Sequence, residues 1–372
     1  MAVKNVFHVN AEGFNAYDIL LERSFASLPD EMKKLNVADR RICVVTDSNV
    51  SKLYSQEVQE LLRPICREVS EYVIPAGEEN KNLDEIKKIY VHLIEHEFDR
   101  GDMLVALGGG VTGDMTGYAA ATYLRGISFV QVPTTLLAQV DSSNGGKTGV
   151  DFDSYKNMVG AFHQPSMVYI NISTLKTLAD DQFACGMGEV LKHGLIRDAA
   201  YYEWCIENMS EIADRDEQVL KEMVFRSVAI KGGVVQRDPK EKGERALLNF
   251  GHTLGHAIEK MKNFELGHGQ CVALGCVAAA YISMKRGYLD SDEFYEIRDM
   301  MVGFDLPISF DSLSSEEIIA CTRHDKKMKA GQIRFILLKS IGHAFIDTSV
   351  TDAEMLEALN TLNADVFERS GE

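Results

Sequence analysis

Short apolar runs rich in Val and Ile recur through the first half of the chain, at Ile42–Thr46, Tyr72–Ile74, Met103–Leu107, Phe129–Val132 and Met167–Ile172. They are continuous rather than alternating, which is the pattern of strands buried on both faces of a parallel sheet. Between them lie helical patterns such as Leu83, Ile86, Ile89 and Leu93, with Glu and Lys at other positions. Strands alternating with amphipathic helices predict a doubly wound α/β layer. After about Leu175 the strand signal fades, helical patterns dominate, and one later strand candidate stands at Ile333–Leu338. The change of period divides the chain into an α/β domain over 1–172 and a mainly α-helical domain over 173–372. Neither a repeat nor a Pro/Gly-rich linker marks the junction.

At 372 residues, 45% hydrophobic and 26% charged, the chain is long enough for two domains of ordinary size. Lys and Arg number 39 against 56 Asp and Glu, a net charge of -17, so the long-range field repels nucleic acid and anionic membranes. An anionic ligand therefore needs a local basic pocket, and a small molecule is the expected partner. Seven scattered cysteines without a CxxC pair fit reduced thiols rather than a disulfide framework. With no basic-then-apolar start and no run near the roughly 18 apolar residues of a spanning helix, the chain reads as cytoplasmic.

Three groups of residues carry chemistry. The segment MLVALGGGVTGD runs from a strand into glycines and then a helix, where bare backbone and a helix N-terminus favour a pyrophosphate. It lies about a hundred residues into the chain and lacks an acidic residue some twenty positions on, so a plain tight turn is the alternative reading. Earlier acidic candidates for a ribose or adenine are Asp47, at the end of its strand, and Glu78 with Lys81 in PAGEENK.

In NFGHTLGHAIEKM, the apolar residues Phe250, Leu254, Ala257, Ile258 and Met261 form one stripe, and His252 and His256 lie nearly opposite. Two imidazoles four apart can address one metal, but spacing does not decide which of the pair is a ligand. Thr253 occupies the place of the general-base Glu of a zinc protease, which argues against peptide hydrolysis. His268 opens the next helical segment, as ligand or as cap, and Glu189 faces away from the Phe183, Met187, Val190, Leu191, Leu195 stripe with Lys192 one turn on. One carboxylate and two imidazoles leave open positions on zinc, as catalysis requires.

The third group is basic. Asp141 and Lys147 flank Gly145 and Gly146, with Lys156 and Asn157 close behind. Lys231 falls on the stripe Val224, Val228, Val235, so burying its ammonium demands an anionic partner or a neutral state. Arg245 and the pair Lys326, Lys327 can join a phosphate and carboxylate pocket.

Together the segments PAGEENK, GGGVTGDMTGYAAATYLRG, QVPTTLLAQVDSSNGGKTGVD, YKNMVGAFHQP, GMGEVLKHG, LNFGHTLGHAIE and HDKK resemble the 3-dehydroquinate synthase family, in order and over nearly the whole chain. The resemblance implies an NAD-binding α/β domain, a helical metal domain, a cleft between them and a homodimer. It implies Zn2+ or Co2+ on Glu189, His252 and His268, with His256 a catalytic neighbour. It places Arg125, Asp141, Lys147, Asn157, Lys192, Lys231, Arg245, Asn249 and one HDKK lysine, Lys326 first, around the substrate. For NAD it points to Asp47, Glu78, Lys81, Gly109, Gly110, Thr112, Asp114, Thr134, Thr135, Lys147, Lys156 and Thr177. Departures from the family pattern are Asn144 for a small aliphatic residue, Gly149 for Ala, Asp151 for Asn, and Tyr155 before the KN pair.

The implied substrate is 3-deoxy-D-arabino-heptulosonate 7-phosphate, converted to 3-dehydroquinate and phosphate with NAD used and restored. Cyclases making an inosose or valiolone, and metal-dependent polyol dehydrogenases, are the alternatives; the intact DSSNGGKT segment and the basic cluster disfavour them.

Overall fold

The computed structural model describes residues 5–10, 13, 16–153, 155–263, 265–323 and 334–365. Lys326 and Lys327 lie outside these residues. The chain forms two compact units: residues up to Leu178 with Leu220–Pro239, and Ala179–Val219 with Lys240 onward. A single division at 172/173 does not provide for the returning segment Leu220–Pro239.

The first unit holds a seven-stranded sheet built from β1 (Val6–Val9), β2 (Tyr17–Glu22), β3 (Arg41–Asp47), β4 (Glu68–Ile74), β5 (Met103–Gly108), β6 (Ser128–Pro133) and β9 (Met167–Asn171). Its order is β1-β2-β9-β6-β5-β3-β4, with β1 antiparallel to β2 and the remaining pairs parallel. A hairpin of β7 (Lys147–Phe152) and β8 (Tyr155–Phe162) stands apart from it.

Successive side chains of β3 and β5 go to opposite faces, and both faces are covered. Ile42, Val44, Met103 and Val105 join one core with Leu28, Met32, Val58 and Leu62. Cys43, Val45 and Leu104 join another with Ile86, Ile89, Leu93, Met115 and Ala119. Burial on two faces is why these strands read as continuous apolar runs. From β3 the sheet grows outward to β4 on one side and through β5, β6 and β9 on the other. The C-terminal ends of β3 and β5 thus form a switch point, where open α/β sheets bind ligands.

From Leu220 onward the helix Glu217–Arg237 belongs to this unit. A Cβ on its Gly232 would lie 2.3 Å from the Phe7 ring of β1, so the helix and the strand pack closely. Gln236 also donates to the His8 carbonyl at 2.6 Å.

The second unit is mainly helical, with a hairpin of β10 (Phe335–Ser340) and β11 (His343–Asp347). At its centre are the helices Asp180–Arg197, His252–Met261 and His268–Lys285. Every residue from Phe183 to Ile196 is buried, so the polar face carrying Glu189 is as enclosed as the apolar one. Among the described residues no helix is long and apolar enough to cross a membrane.

Candidate active site

In the first unit, β5 ends at Gly108 and Gly109 caps the helix Gly110–Thr122 in extended backbone. The amide of Gly113 donates to the Gly109 carbonyl at 3.0 Å, which leaves the first-turn amides at the helix's open, electropositive end. A Cβ on Gly109 would stand 3.1 Å from Thr135 Cγ2, and one on Gly110 3.0 Å from Ser142 Oγ, so a side chain at either position would press on a neighbour and cover the backbone exposed here.

Parallel register sets Thr46 beside Leu107 and so brings Asp47 to the turn. Asp47 Oδ1 accepts from the Asn49 and Val50 amides at 2.9 and 3.1 Å, and Oδ2 accepts from the Thr112 hydroxyl at 3.3 Å. On the other side the Thr134 amide donates to the Gly108 carbonyl at 2.9 Å. The Thr134 hydroxyl is buried with no hydrogen-bond partner among the described residues. Thr177 shares a hydroxyl–hydroxyl hydrogen bond with Tyr54, on the segment following Asp47. Bare amides, an adjoining carboxylate and an orphaned hydroxyl suit a dinucleotide.

Lys81 is buried, donating to Asp114 Oδ2 at 2.8 Å and Asn157 Oδ1 at 2.7 Å, with Glu78 4.0 Å away. Burial pulls its ammonium down, but Asp114 and Glu78 override this and hold it above its ordinary pKa. Burial raises the Asp114 carboxyl against the opposing pull of Lys81. Lys156 reaches Glu78 at 3.5 Å, so Glu78, Lys81, Asp114, Lys156 and Asn157 form one group.

Of the two outcomes the apolar stripe left open for Lys231, an anionic partner or a neutral state, the structure shows the first. Its Nζ donates to Asp141 at the carbonyl, 2.6 Å, and at Oδ1, 2.7 Å. Beyond Asp141, Gly145 and Gly146 take φ of +104° and +66° and turn the chain into β7, where Lys147 is exposed. The buried Tyr17 of β2 steadies this turn, donating to Asn144 Oδ1 at 3.1 Å and accepting from the Gly145 amide at 3.2 Å. Sequence reasoning missed Tyr17 and saw in Asn144 only a departure. Arg125 does not join these groups: it is exposed at the far end of the helix from Gly110, about 20 Å away for thirteen residues.

In the second unit, backbone contact brings the metal candidates together. A Cβ on Gly269 would lie 1.7 Å from the Cys185 carbonyl oxygen, and one on Gly275 1.8 Å from that of Gly251. Glycine thus lets the His268 helix touch both neighbours. Gly251 itself starts the histidine helix at φ +78°, a left-handed conformation suited to glycine.

Within this frame Glu189 Oε1 lies 3.6 Å from His252 Nε2 and 3.5 Å from His268 Nε2. Ligands about 2.0–2.2 Å from a tetrahedral ion stand about 3.4 Å apart, so the donor set fits zinc. His252 directs its other nitrogen, Nδ1, at the Phe250 carbonyl, 3.0 Å away, leaving Nε2 for the ion. Burial presses the His268 imidazolium down, but Glu189 and Glu259 outweigh it and raise the pKa to about 9. Two carboxylates call for positive charge here, which a divalent cation supplies in place of the proton.

His256 is half-buried, its ring centroid 4.9 Å from that of His252, and ligand atoms of His252, His256 and His268 all lie within 4.8 Å of one another. Lys192 forms an ion pair with Glu189 one turn away, both side chains enclosed. The buried Arg245 lies on the turn Glu244–Asn249 leading into the histidine helix, and Asn249 donates to Glu241 Oε1 at 2.6 Å. Sequence reasoning passed over Glu259, although it sits seven residues after His252 on the same helix face.

The 3-dehydroquinate synthase N-terminal family model matches residues 71–185, and the C-terminal one matches 186–328. The 3-dehydroquinate synthase of Acetivibrio thermocellus is 43% identical over 343 residues, 92% of this chain and 95% of the relative. That of Geotalea uraniireducens is 44% identical over 318 residues, 85% and 88% of the two chains. Among solved structures, 2-epi-5-epi-valiolone synthase from Streptomyces hygroscopicus subsp. jinggangensis 5008, with NAD+ and Zn2+ bound, superposes with a TM-score of 0.88. It is 27% identical, with 98% of this chain and 100% of that one covered. Sequence kinship along both units, on a fold that carries the dinucleotide turn and the carboxylate–imidazole cluster, places the chain in the 3-dehydroquinate synthase family.

Proposed function

We propose that the chain converts 3-deoxy-D-arabino-heptulosonate 7-phosphate to 3-dehydroquinate and phosphate, with NAD and Zn2+ or Co2+ as cofactors. The observation that carries this reading is Glu189 Oε1 standing within 3.6 Å of both His252 Nε2 and His268 Nε2 in a member of this family. The two cofactors supply a hydride acceptor that later returns the hydride, and a Lewis acid for substrate hydroxyls.

The chain's own residues do the rest. Asp47, Gly109, Gly110, Thr112, Thr134, Thr135 and Thr177 hold the dinucleotide, with the Glu78, Lys81, Asp114, Lys156 group beside them. Lys147, Lys192, Lys231, Arg245 and Lys326, with Asn157 and Asn249, hold phosphate and carboxylate; fixed charge sheltered from water acts far more strongly than in solution. Asp141 orients the Lys231 ammonium, and His256 moves the proton of the oxidised alcohol. Once that alcohol is a ketone, the neighbouring C–H is acidic enough for phosphate to leave by β-elimination. The unit up to Leu178 with Leu220–Pro239 acts as the NAD-binding domain and the helical unit as the metal domain, in a cytoplasmic homodimer.

The test is to incubate metal-loaded protein and catalytic NAD with the heptulosonate phosphate, following phosphate, product and NADH together. Stoichiometric phosphate and dehydroquinate without accumulating NADH are expected. No phosphate release overturns the reading, and steady NADH build-up points to a different cyclase or a dehydrogenase.

A further inference from the structure

The two imidazoles facing Glu189 are backed differently. His252 Nδ1 meets a neutral backbone carbonyl, that of Phe250. His268 Nδ1 meets a carboxylate: Glu259 Oε2 lies 3.4 Å from it, while the same ring's Nε2 stands 3.5 Å from Glu189 Oε1. Glu259 is 3% exposed, on the inner face of the histidine helix. A carboxylate enclosed on a helix otherwise filled with Leu254, Ala257 and Ile258 carries a desolvation cost that a purely structural position would shed by becoming apolar.

We propose that Glu259 is a positioning residue of the metal centre: it accepts the Nδ1 proton of His268, fixes the tautomer that presents Nε2, and makes that nitrogen a stronger donor. The inference rests on the reading of Glu189, His252 and His268 as metal ligands. A carboxylate behind a ligating imidazole orients the ring and raises its basicity, and loss of such a partner weakens metal binding about 10–100-fold. It also makes the two histidines unequal. His268 is the ligand whose hold depends on a second side chain, whereas His252 is held by main chain that no substitution removes.

The experiment compares wild type, Glu259→Gln, Glu259→Asp and Glu189→Ala as metal-free protein titrated with Zn2+ against a chromophoric chelator, and records the d–d absorption of the Co2+ forms. Glu259→Gln keeps the size and an acceptor oxygen but loses the charge. It is expected to bind Zn2+ about 10–100-fold more weakly, with a shifted Co2+ band and a metal-free melting temperature near wild type. Glu259→Asp, retaining the charge, is expected to recover part of the affinity. Wild-type Zn2+ affinity and an unchanged Co2+ band in Glu259→Gln overturn the proposal while leaving the metal centre standing. Failure of wild type to bind one Zn2+, or undiminished binding by Glu189→Ala, overturns the metal reading itself and this inference with it.

Discussion

The two units build charged sites by opposite means. At the end of β5 the groups aimed at an anion are main-chain amides, set by a strand, three glycines and the first turn of a helix within about ten residues of sequence. In the helical unit the groups aimed at a cation are side chains from three helices, and Glu189 and His268 are 79 residues apart. A backbone site tolerates exchange of the side chains around it. A convergent site depends on the packing that brings distant elements together.

The largest expected effect tests the convergent site at its hub. Glu189→Gln removes the carboxylate facing both imidazoles and is expected to abolish stoichiometric Zn2+ binding and lower kcat by more than about 10³-fold, read by metal titration and phosphate release. Next comes the packing itself. Gly269→Ala sets a Cβ 1.7 Å from a backbone oxygen that cannot rotate away. A destabilisation of about 3 kcal/mol or more is expected in urea titration, with weakened Zn2+ binding although no ligand has changed.

The matching substitution in the α/β unit, Gly110→Ala, meets only the Ser142 hydroxyl, at 3.0 Å. Stability within about 1 kcal/mol of wild type and about tenfold weaker NAD binding by calorimetry are expected. Equal loss of stability from both glycines would break the comparison.

The smallest effect concerns Arg286, which donates to both oxygens of Glu354, at 2.7 and 2.9 Å, and to Asp347 at 3.0 Å. The Arg286 hydrogen bond holds the Glu354 carboxyl down at about 2, against an ordinary 4.5. A depressed carboxylate stabilises the fold above its unfolded pKa, and that contribution fades as pH falls from 4.5 through 2. Arg286→Gln is therefore expected to cost about 1 kcal/mol at pH 7 after solvent screening, with the gap to wild type closing as urea titrations are repeated from pH 4.5 toward pH 2.

The same contrast decides what could be read from the sequence. The runs at Ile42–Thr46 and Met103–Leu107 fall inside β3 and β5 because burial on two faces leaves an unbroken apolar signature. The stripe through Lys231 likewise called for an anionic partner or a neutral state, and Asp141 supplies the partner. β1 escaped because a four-residue edge strand is too short for periodicity to register. The β7–β8 hairpin escaped because β8 has no fully buried position. Spacing could not separate His252 from His256; the structure sets His252 Nε2 toward Glu189, with its Nδ1 on a carbonyl. Glu259, between Ile258 and Lys260, looks like any solvated helix carboxylate until His268 is folded against it.

The returning segment Leu220–Pro239 gives the chain an order of assembly. A ribosome that has finished Leu178 has made every strand of the seven-stranded sheet, yet neither the helix that covers Phe7 nor the ammonium that meets Asp141. About sixty further residues must emerge before these reach their partners. Until then the α/β unit waits with an uncovered edge, and its completion is tied to synthesis of the polypeptide that also begins the helical unit.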